Sequence, residues 1–313
     1  MLAWSALRML IMEFGKLPDV DGVDFSLPPD PPANALLLDA LGQDGVPAVF
    51  VGATGYNMRQ WVGAWYPKGA KPADYLRHYG SQFNTIEHNT THYRIPDEAT
   101  VRRWYAETPA DFRFCPKLPQ SVSHSRDLGT NGGDLAAFCR AMALLEEKIG
   151  ACFLQLPPHF GPERLPLLER FLALFPIEIP LAVEARHPAF FDPKNEAWFD
   201  VLARTGVGAV ITDVAGRRDV CHMRLTSDKC LVRFVGNALH PSDGSRVREW
   251  ARRMGSWLHE GLKEFYFFAH EPDNLLAPDL AALACAAFKA TAPQARMRPA
   301  PQPRRPASLF DGL

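Results

Sequence analysis

The 313-residue sequence predicts a mixed α/β fold, a (β/α)8 TIM-type barrel with an N-terminal arm and a disordered C-terminal tail. Three observations lead there. Eight short runs rich in Val, Ile, Phe and Leu alternate with longer stretches of helical spacing, the order of parallel strands joined by crossover helices. The chain is long enough for one such barrel with extensions. The first run is followed by GATGYNMRQW, which lacks the glycine-rich phosphate turn of a doubly wound sheet.

Residues 1–48 read as the arm. Their apolar opening, MLAWSALRMLIM, is too short for a membrane span, carries Arg8 and has no cleavage site before Glu13. Met12 opens a more ordinary MEFGKL, so the first eleven residues are open to reading as a start-site artefact. LPPDPPAN then leads into a short helix or turn at NALLLDALG. The barrel is placed at 49–291. Its strands are AVFVGATG, FNTIEHN ending at Asn89, FRFCPKL ending at Leu118, ACFLQLP ending at Pro157, PLAVEAR ending at Arg186, GAVITD ending at Asp213, CLVRFVG ending at Gly236 and EFYFFAHE ending at Glu271. Helical stretches such as DEATVRRWYAE, DLAAFCRAMALLEEKI and SRVREWARRMGSWLHEGL lie between them, and APDLAALACAAFKATA closes the pattern. Residues 292–313, dominated by Pro and Arg, read as a disordered tail.

A formal net charge of -1 gives no whole-protein field that would draw nucleic acid or an anionic membrane, so neither is expected as a partner. Six scattered cysteines without a C-x-x-C pair suit reduced thiols in the cytoplasm.

In a parallel barrel the carboxyl ends of the strands form the working face, so polar residues there require explanation. Glu87, Asn89, Lys117, Glu184, Arg186, Asp213 and Arg233 are expected to converge at that mouth; Glu87 with Asn89, and Glu184 with Arg186, share a strand face by their spacing of two. Counting Glu87, Glu184, Asp213 and Glu271 against Lys117, Arg186 and Arg233 leaves an excess of one negative charge, which suits a hydrogen-bonded ionic network. Glu87 and Glu184 form the best general acid–base pair, with Lys117 and the two arginines able to separate their pKa values. A structural ion pair of Glu184 with Arg186 or Lys117 explains the same residues equally well.

His88, His92, His187 and His270 flank the strand ends and offer imidazole for proton transfer or ligation. No H-E-x-x-H or H-x-H spacing is present, so no metal ligand and no cofactor is predicted, while a divalent metal stays open. Satisfied structural histidines are the simpler account. Tyr56, Trp61, Trp65, Tyr66 and Tyr93 lie in the first two strand–helix loops, where they serve either as a stacking wall for a ligand or as lid packing; the spacing of four between Trp61 and Trp65 favours packing. QSVSHSRD places Ser121, Ser123 and Ser125 around His124 without any nucleophile motif.

The segments VGATGYNMRQWVGAWYP, YLRHYGSQFNTIEHNTTHYRIPDEATVRRWYAETPADFRFCPKLPQSVSH, FLQLPP and AVEARH together resemble the DUF72 (YecE-like) family over residues 49 to 290. The resemblance implies a TIM-type barrel and leaves the activity open. It carries over Glu87, Asn89, Tyr93, Lys117, Gln155, Glu184, Arg186, His187 and Arg233 as recurrent polar positions. Two departures stand out: Arg233-Phe234-Val235-Gly236 replaces R-x-H-G, and FFAHEPDN replaces F-x-N-N, so a role for the missing imidazole would have to move to His270. The terminal PASLFDGL resembles the short L-F peptides that bind the bacterial sliding clamp, through Leu309 and Phe310. A solvated tail is the alternative.

Together these readings predict an enzyme acting on a small polar molecule, sugar-like or phosphorylated, with Glu87, Glu184 and Lys117 as catalytic groups. Tyr56, Asn89, Tyr93, Gln155, Arg186, His187, Asp213, Arg233 and His270 are the substrate-binding candidates. Two rivals stand beside it. One is a metal-dependent phosphoesterase or isomerase with ligands among Glu87, His92, Glu184, His187, Asp213 and His270; the other is a non-catalytic ligand-binding barrel tethered to a partner by its tail.

Overall fold

Among the described residues, nine short parallel strands carry the apolar runs: β1 (Ala48–Ala53), β2 (Thr85–His88), β3 (Arg113–Pro116), β4 (Cys152–Gln155), β5 (Leu181–Glu184), β6 (Gly208–Ala209), β7 (Ile211–Asp213), β8 (Lys229–Val235) and β9 (Glu264–His270). The computed structural model describes residues 14–304. The opening segment read as a start-site artefact, and Leu309 with Phe310, lie outside the described residues. Helices follow the strands, the longest being Pro241–Glu260 and Ala277–Thr291. Local chemistry sets their ends: the Asp97 carboxylate accepts from Thr100 N to open Glu98–Glu107, and Gly206 at φ 67° closes Ala197–Thr205.

Strand pairing yields three parallel ladders, ordered β1-β9-β8-β7, β2-β3 and β4-β5-β6. The architecture is therefore a mixed α/β fold with parallel sheets, and strand pairs alone do not close it into one ring. Side chains occupy the seams. Between β1 and β2 the Asn84 amide donates to Val49 O (2.9 Å) and accepts from Val51 N (2.9 Å), while the Tyr79 hydroxyl accepts from Ala53 N and donates to Thr85 O. The backbones approach so closely that a Cβ on Gly52 would lie 1.9 Å from Thr85 O. Isolated bridges, Phe114↔Ile149 and Lys117↔Phe153, link β3 to β4. The run read as one sixth strand is broken at Val210 because loop side chains take its ladder groups: Ala209 N donates to the Thr226 hydroxyl and His222 Nε2 donates to Val210 O.

Alternation along the strands creates two cores. Phe50, Cys115, Phe153, Ala182, Val210, Leu231, Tyr266 and Phe268 form one cluster among the strands themselves. The opposite parity, including Val51, Ile86, Phe114, Val183, Ile211 and Phe267, joins the helices in a larger cluster with Trp104, Phe138, Trp198, Trp250 and Phe288. Burying a side chain of that size stabilises by about 1.5–3 kcal/mol, so the two clusters dominate folding.

The arm packs on the helix Pro241–Glu260 and the loop before β8, and the tail packs on the edge of β1. Phe25 lies between Arg218 and Arg246, Asp30 accepts from Arg253 and from Trp257 Nε1 (2.9 Å), and the Asn34 side chain pairs with Met223 O and Leu225 N. Residues 292–304, expected to be part of a disordered tail, are ordered. Arg296 exchanges hydrogen bonds with Pro47 O and Val49 N, and Arg298 reaches Asp111 and the carbonyl of Phe83. Proline lacks a donor but leaves its neighbours free to bond an exposed strand edge, which is why a Pro-rich composition did not preclude order here. No helix among the described residues is long and apolar enough to cross a membrane.

Candidate functional site

One layer beyond the apolar cluster among the strands, the same parity continues into polar residues: Glu87 on β2, Gln155 on β4, Glu184 on β5, Thr212 on β7, Arg233 on β8 and His270 on β9. Arg233 lies at the centre. Its Nε and Nη2 donate to the two oxygens of Glu87 (2.9 and 3.1 Å), and Nη1 donates to both oxygens of Glu184 (2.9 and 2.8 Å). Around this bridge His270 Nε2 meets Glu87 Oε2 (2.9 Å), Asn89 Nδ2 donates to Glu87 Oε1 (2.9 Å), Gln155 Nε2 donates to Glu184 Oε2 (2.5 Å) and Thr212 donates to Glu184 Oε1 (3.2 Å). Lys117 Nζ, just past β3, donates to Gln155 Oε1 (2.8 Å).

Both carboxylates are buried, and burial alone would raise their pKa values. Arg233 more than offsets it, holding Glu87 well below the usual carboxylate range and Glu184 at about 2. An ionised Glu87 only accepts, so the His270 Nε2 bonded to it carries the proton. Burial lowers the His270 pKa, which keeps its imidazole neutral. Lys117 behaves oppositely to the carboxylates: burial first, then the charge of Arg233, brings its ammonium down to about 8.

Arg186 stands apart. Its Nε lies 3.7 Å from Glu184 Oε1, and this buried nitrogen has no hydrogen-bond partner among the described residues. Its guanidinium lies 4.5 Å from the ring centroid of Phe14, which the arm lays across the mouth. Phe14, Arg186, Thr212, Arg233, His270 and Glu271 are among the residues enclosing a cavity of about 350 Å³.

The expected convergence thus holds for Glu87, Asn89, Lys117, Glu184, Arg186 and Arg233, joined by Gln155 and His270. It fails for Asp213, whose side chain has the opposite parity. Arg246 and Trp250 donate to its carboxylate (3.2 and 2.9 Å), and Arg218 pairs with it, in a fully buried junction between β7 and the helix Pro241–Glu260. Thr212 is the inward residue, signalled in the sequence by the apolar Val210 two positions earlier. Tyr56 is not in the cluster either; its ring sits edge-on to His88, and the burial of its hydroxyl raises its pKa. His187 caps a short turn, its Nδ1 accepting from Ala189 N. Tyr93 is exposed beside a neighbouring groove of about 660 Å³.

These positions change the sign of the site. Asp213 is neutralised by Arg218 and Arg246, and Glu271 is a rim carboxyl that burial pushes up to about 7. The core network then sets Glu87 and Glu184 against Lys117, Arg186 and Arg233, an excess of one positive charge while Lys117 is protonated. The ligand set of the metal reading does not assemble: Asp213 faces the helices, His187 caps its turn, His92 Nδ1 is bound to Leu118 O, and Glu184 is bound to Arg233.

Fold and site define a mixed α/β protein with a buried, arginine-centred ionic network at its strand ends. The chain belongs to the family described as "Protein of unknown function DUF72", whose model matches residues 50–305. It is 35% identical over 225 residues to the UPF0759 protein YecE of Escherichia coli strain K12, covering 66% of this chain and 82% of that protein. The UPF0759 protein YunF of Bacillus subtilis strain 168 is 26% identical over 227 residues, 64% of this chain and 76% of its own length. Crystal structures of DUF72 family proteins share the fold: one from Enterococcus faecalis V583 at a TM-score of 0.61 and 19% identity, and one from Thermotoga maritima MSB8 at 0.58 and 25%. Each covers 78% of this chain and 98% of the other.

Proposed function

We propose that this chain is an enzyme acting on a small anionic substrate, phosphorylated or carboxylated, with Lys117 as the group that moves the proton. The observation that carries the reading is Arg186, which lines the cavity and whose buried Nε has no hydrogen-bond partner among the described residues, in a network with a surplus cation. A buried donor in that state is costly until an acceptor arrives, and an oxyanion supplies one.

Glu87 and Glu184 take a different role from the acid–base pair first expected. Carboxylates held this far below neutrality are weak bases, and Arg233 occupies the space between them. Their part is to fix Arg233, and through Gln155 to orient Lys117. An amine titrating near 8 is matched to work at neutral pH: unprotonated it takes a proton from the bound substrate, and the resulting ammonium stabilises developing negative charge before returning the proton.

The reading includes a closed (β/α)8 barrel, in which the three ladders are arcs of one wall. The side-chain seam of Asn84 and Tyr79, the bridges at Phe114 and Lys117, and the bond from Val210 N to Val183 O support it. It includes a cytoplasmic location, for which the six buried free thiols speak.

The test is calorimetric titration with inorganic phosphate, followed by a turnover screen of phosphorylated and carboxylated metabolites. Saturable phosphate binding that Arg186→Ala weakens at least tenfold, together with a turnover that Lys117→Met abolishes, is the expected result. Binding without turnover across the screen would favour a ligand-binding protein, and absence of phosphate binding would remove the proposal.

A further inference from the structure

Beside the ionic cavity, over the ends of β2 and β3, lies the groove of about 660 Å³, and the proposed function leaves it unused. It is built from the two segments that leave the network directly: the turn Thr90–Tyr93, which follows Asn89, and the turn Gln120–Ser123, which follows Lys117. His92 and His124, both lining it, pack edge to face with ring centroids 5.7 Å apart. His92 Nδ1 is fixed by Leu118 O, a carbonyl that only accepts, so Nδ1 carries the proton and Nε2 presents a lone pair. Tyr93 is 81% exposed, unusual for so large an aromatic side chain, and its ring meets that of His92 edge to face.

We infer that this groove is a second subsite, and that the substrate is a phosphorylated or carboxylated polyol whose anionic end sits at Arg186 and Lys117 while its hydroxylated body lies against Tyr93, beside the paired imidazoles of His92 and His124. The inference rests on the anion site proposed above. A sugar ring has an apolar C–H face and a rim of hydroxyl groups that both donate and accept. Tyr93 supplies the face; the imidazoles, the Gln120 amide and the Ser121 hydroxyl supply the rim. A flat aromatic body would call for an enclosed slot with two ring faces, whereas one exposed ring in a groove lined largely by polar side chains matches a hydrated polyol. The two sites meet at the strand ends, because the turn Thr90–Tyr93 starts at Asn89 and the turn Gln120–Ser123 begins three residues after Lys117; burial first, then neighbouring charges that include Lys117 and Arg186, lower the pKa of both imidazoles.

Calorimetric titrations of the whole chain with inorganic phosphate, a hexose 6-phosphate and phenyl phosphate, repeated on Tyr93→Ala, test this. Tyr93 is exposed enough that its removal spares the fold. The hexose phosphate is expected to bind at least tenfold tighter than inorganic phosphate, and Tyr93→Ala to bring it back to the phosphate value while leaving phosphate itself unchanged. Equal binding of hexose phosphate and phosphate, indifference to Tyr93→Ala, or phenyl phosphate binding as tightly as the sugar would each overturn the second subsite and leave the anion site standing. Absence of phosphate binding by the unaltered chain overturns both.

Discussion

Replacing Arg233 with methionine isolates the centre of the network. The substitution keeps an unbranched apolar stem and deletes the four hydrogen bonds that the guanidinium gives to Glu87 and Glu184. Arg233 is the cation that hydrogen-bonds both carboxylates, exposed 0% and 1%; without it Glu184 keeps Arg186 at 3.7 Å, while Glu87 loses its guanidinium partner. Removing one partner of a buried pair costs about 3–5 kcal/mol, the range expected for this variant. The sign with pH follows from the two states. In the native chain the carboxyls lie below their unfolded values, so their contribution is complete above the ordinary carboxylate pKa and is lost as pH falls toward about 2. In Arg233→Met, burial, already the largest influence on both groups, would act with much weaker opposition and lift the folded values above the unfolded ones. The penalty is then full at pH 7 and is relieved as the carboxyls protonate toward pH 5, where the native chain is still flat. Urea unfolding at pH 7 and pH 5, followed by the fluorescence of the seven tryptophans, reads both values. A loss under about 1 kcal/mol at pH 7, or a deficit that does not narrow at pH 5, would refute the claim that Arg233 neutralises two buried charges.

Three further outcomes follow from the same geometry. Sulfate, whose charge is constant across the range, should bind more weakly as pH rises through about 8, because Lys117 loses its proton there; a fall of about tenfold that vanishes in Lys117→Met is the expected calorimetric result. Asp213→Asn should cost about 3–5 kcal/mol in urea unfolding while leaving sulfate affinity unchanged, since its partners Arg246 and Trp250 belong to the helix junction; weakened sulfate binding would return Asp213 to the site. Gly52→Ala sets a methyl 1.9 Å from Thr85 O in the β1–β2 seam and should destabilise by about 3 kcal/mol or more, whereas Gly133→Ala, with nothing within 4 Å, should stay within about 0.5 kcal/mol.

Much of this was legible in the chain because strand ends and spacing are sequence properties. Glu87, Glu184 and Arg233 were found from their places at the ends of apolar runs, and the i, i+2 rule correctly set Asn89 with Glu87. Parity was the weak point. Nothing in GAVITD announces that Val210 interrupts the strand, so the acid at its end looked like a site residue while the neighbouring threonine was passed over. The charge count inherited that error, because Arg246 lies 33 residues beyond Asp213 and Arg218, five residues on, belongs to the loop and not to a strand end. The β1–β2 seam was invisible for a different reason: Asn84 and Tyr79 replace backbone pairing with side-chain hydrogen bonds, which have no period. Tyr93 was singled out as an aromatic of the second strand–helix loop, but only the structure separates its exposed ring from Trp61, Trp65 and Tyr66, which are core.

The central claim is that Arg186, which lines the cavity under Phe14, and the neighbouring Lys117 of the same network together hold an oxyanion. Crystals grown with selenate, measured at the selenium edge, locate that anion directly. The account predicts an anomalous peak within hydrogen-bonding distance of Arg186 Nε and Lys117 Nζ. A cavity without selenium, while the anion occupies other surfaces of the same crystal, would contradict it.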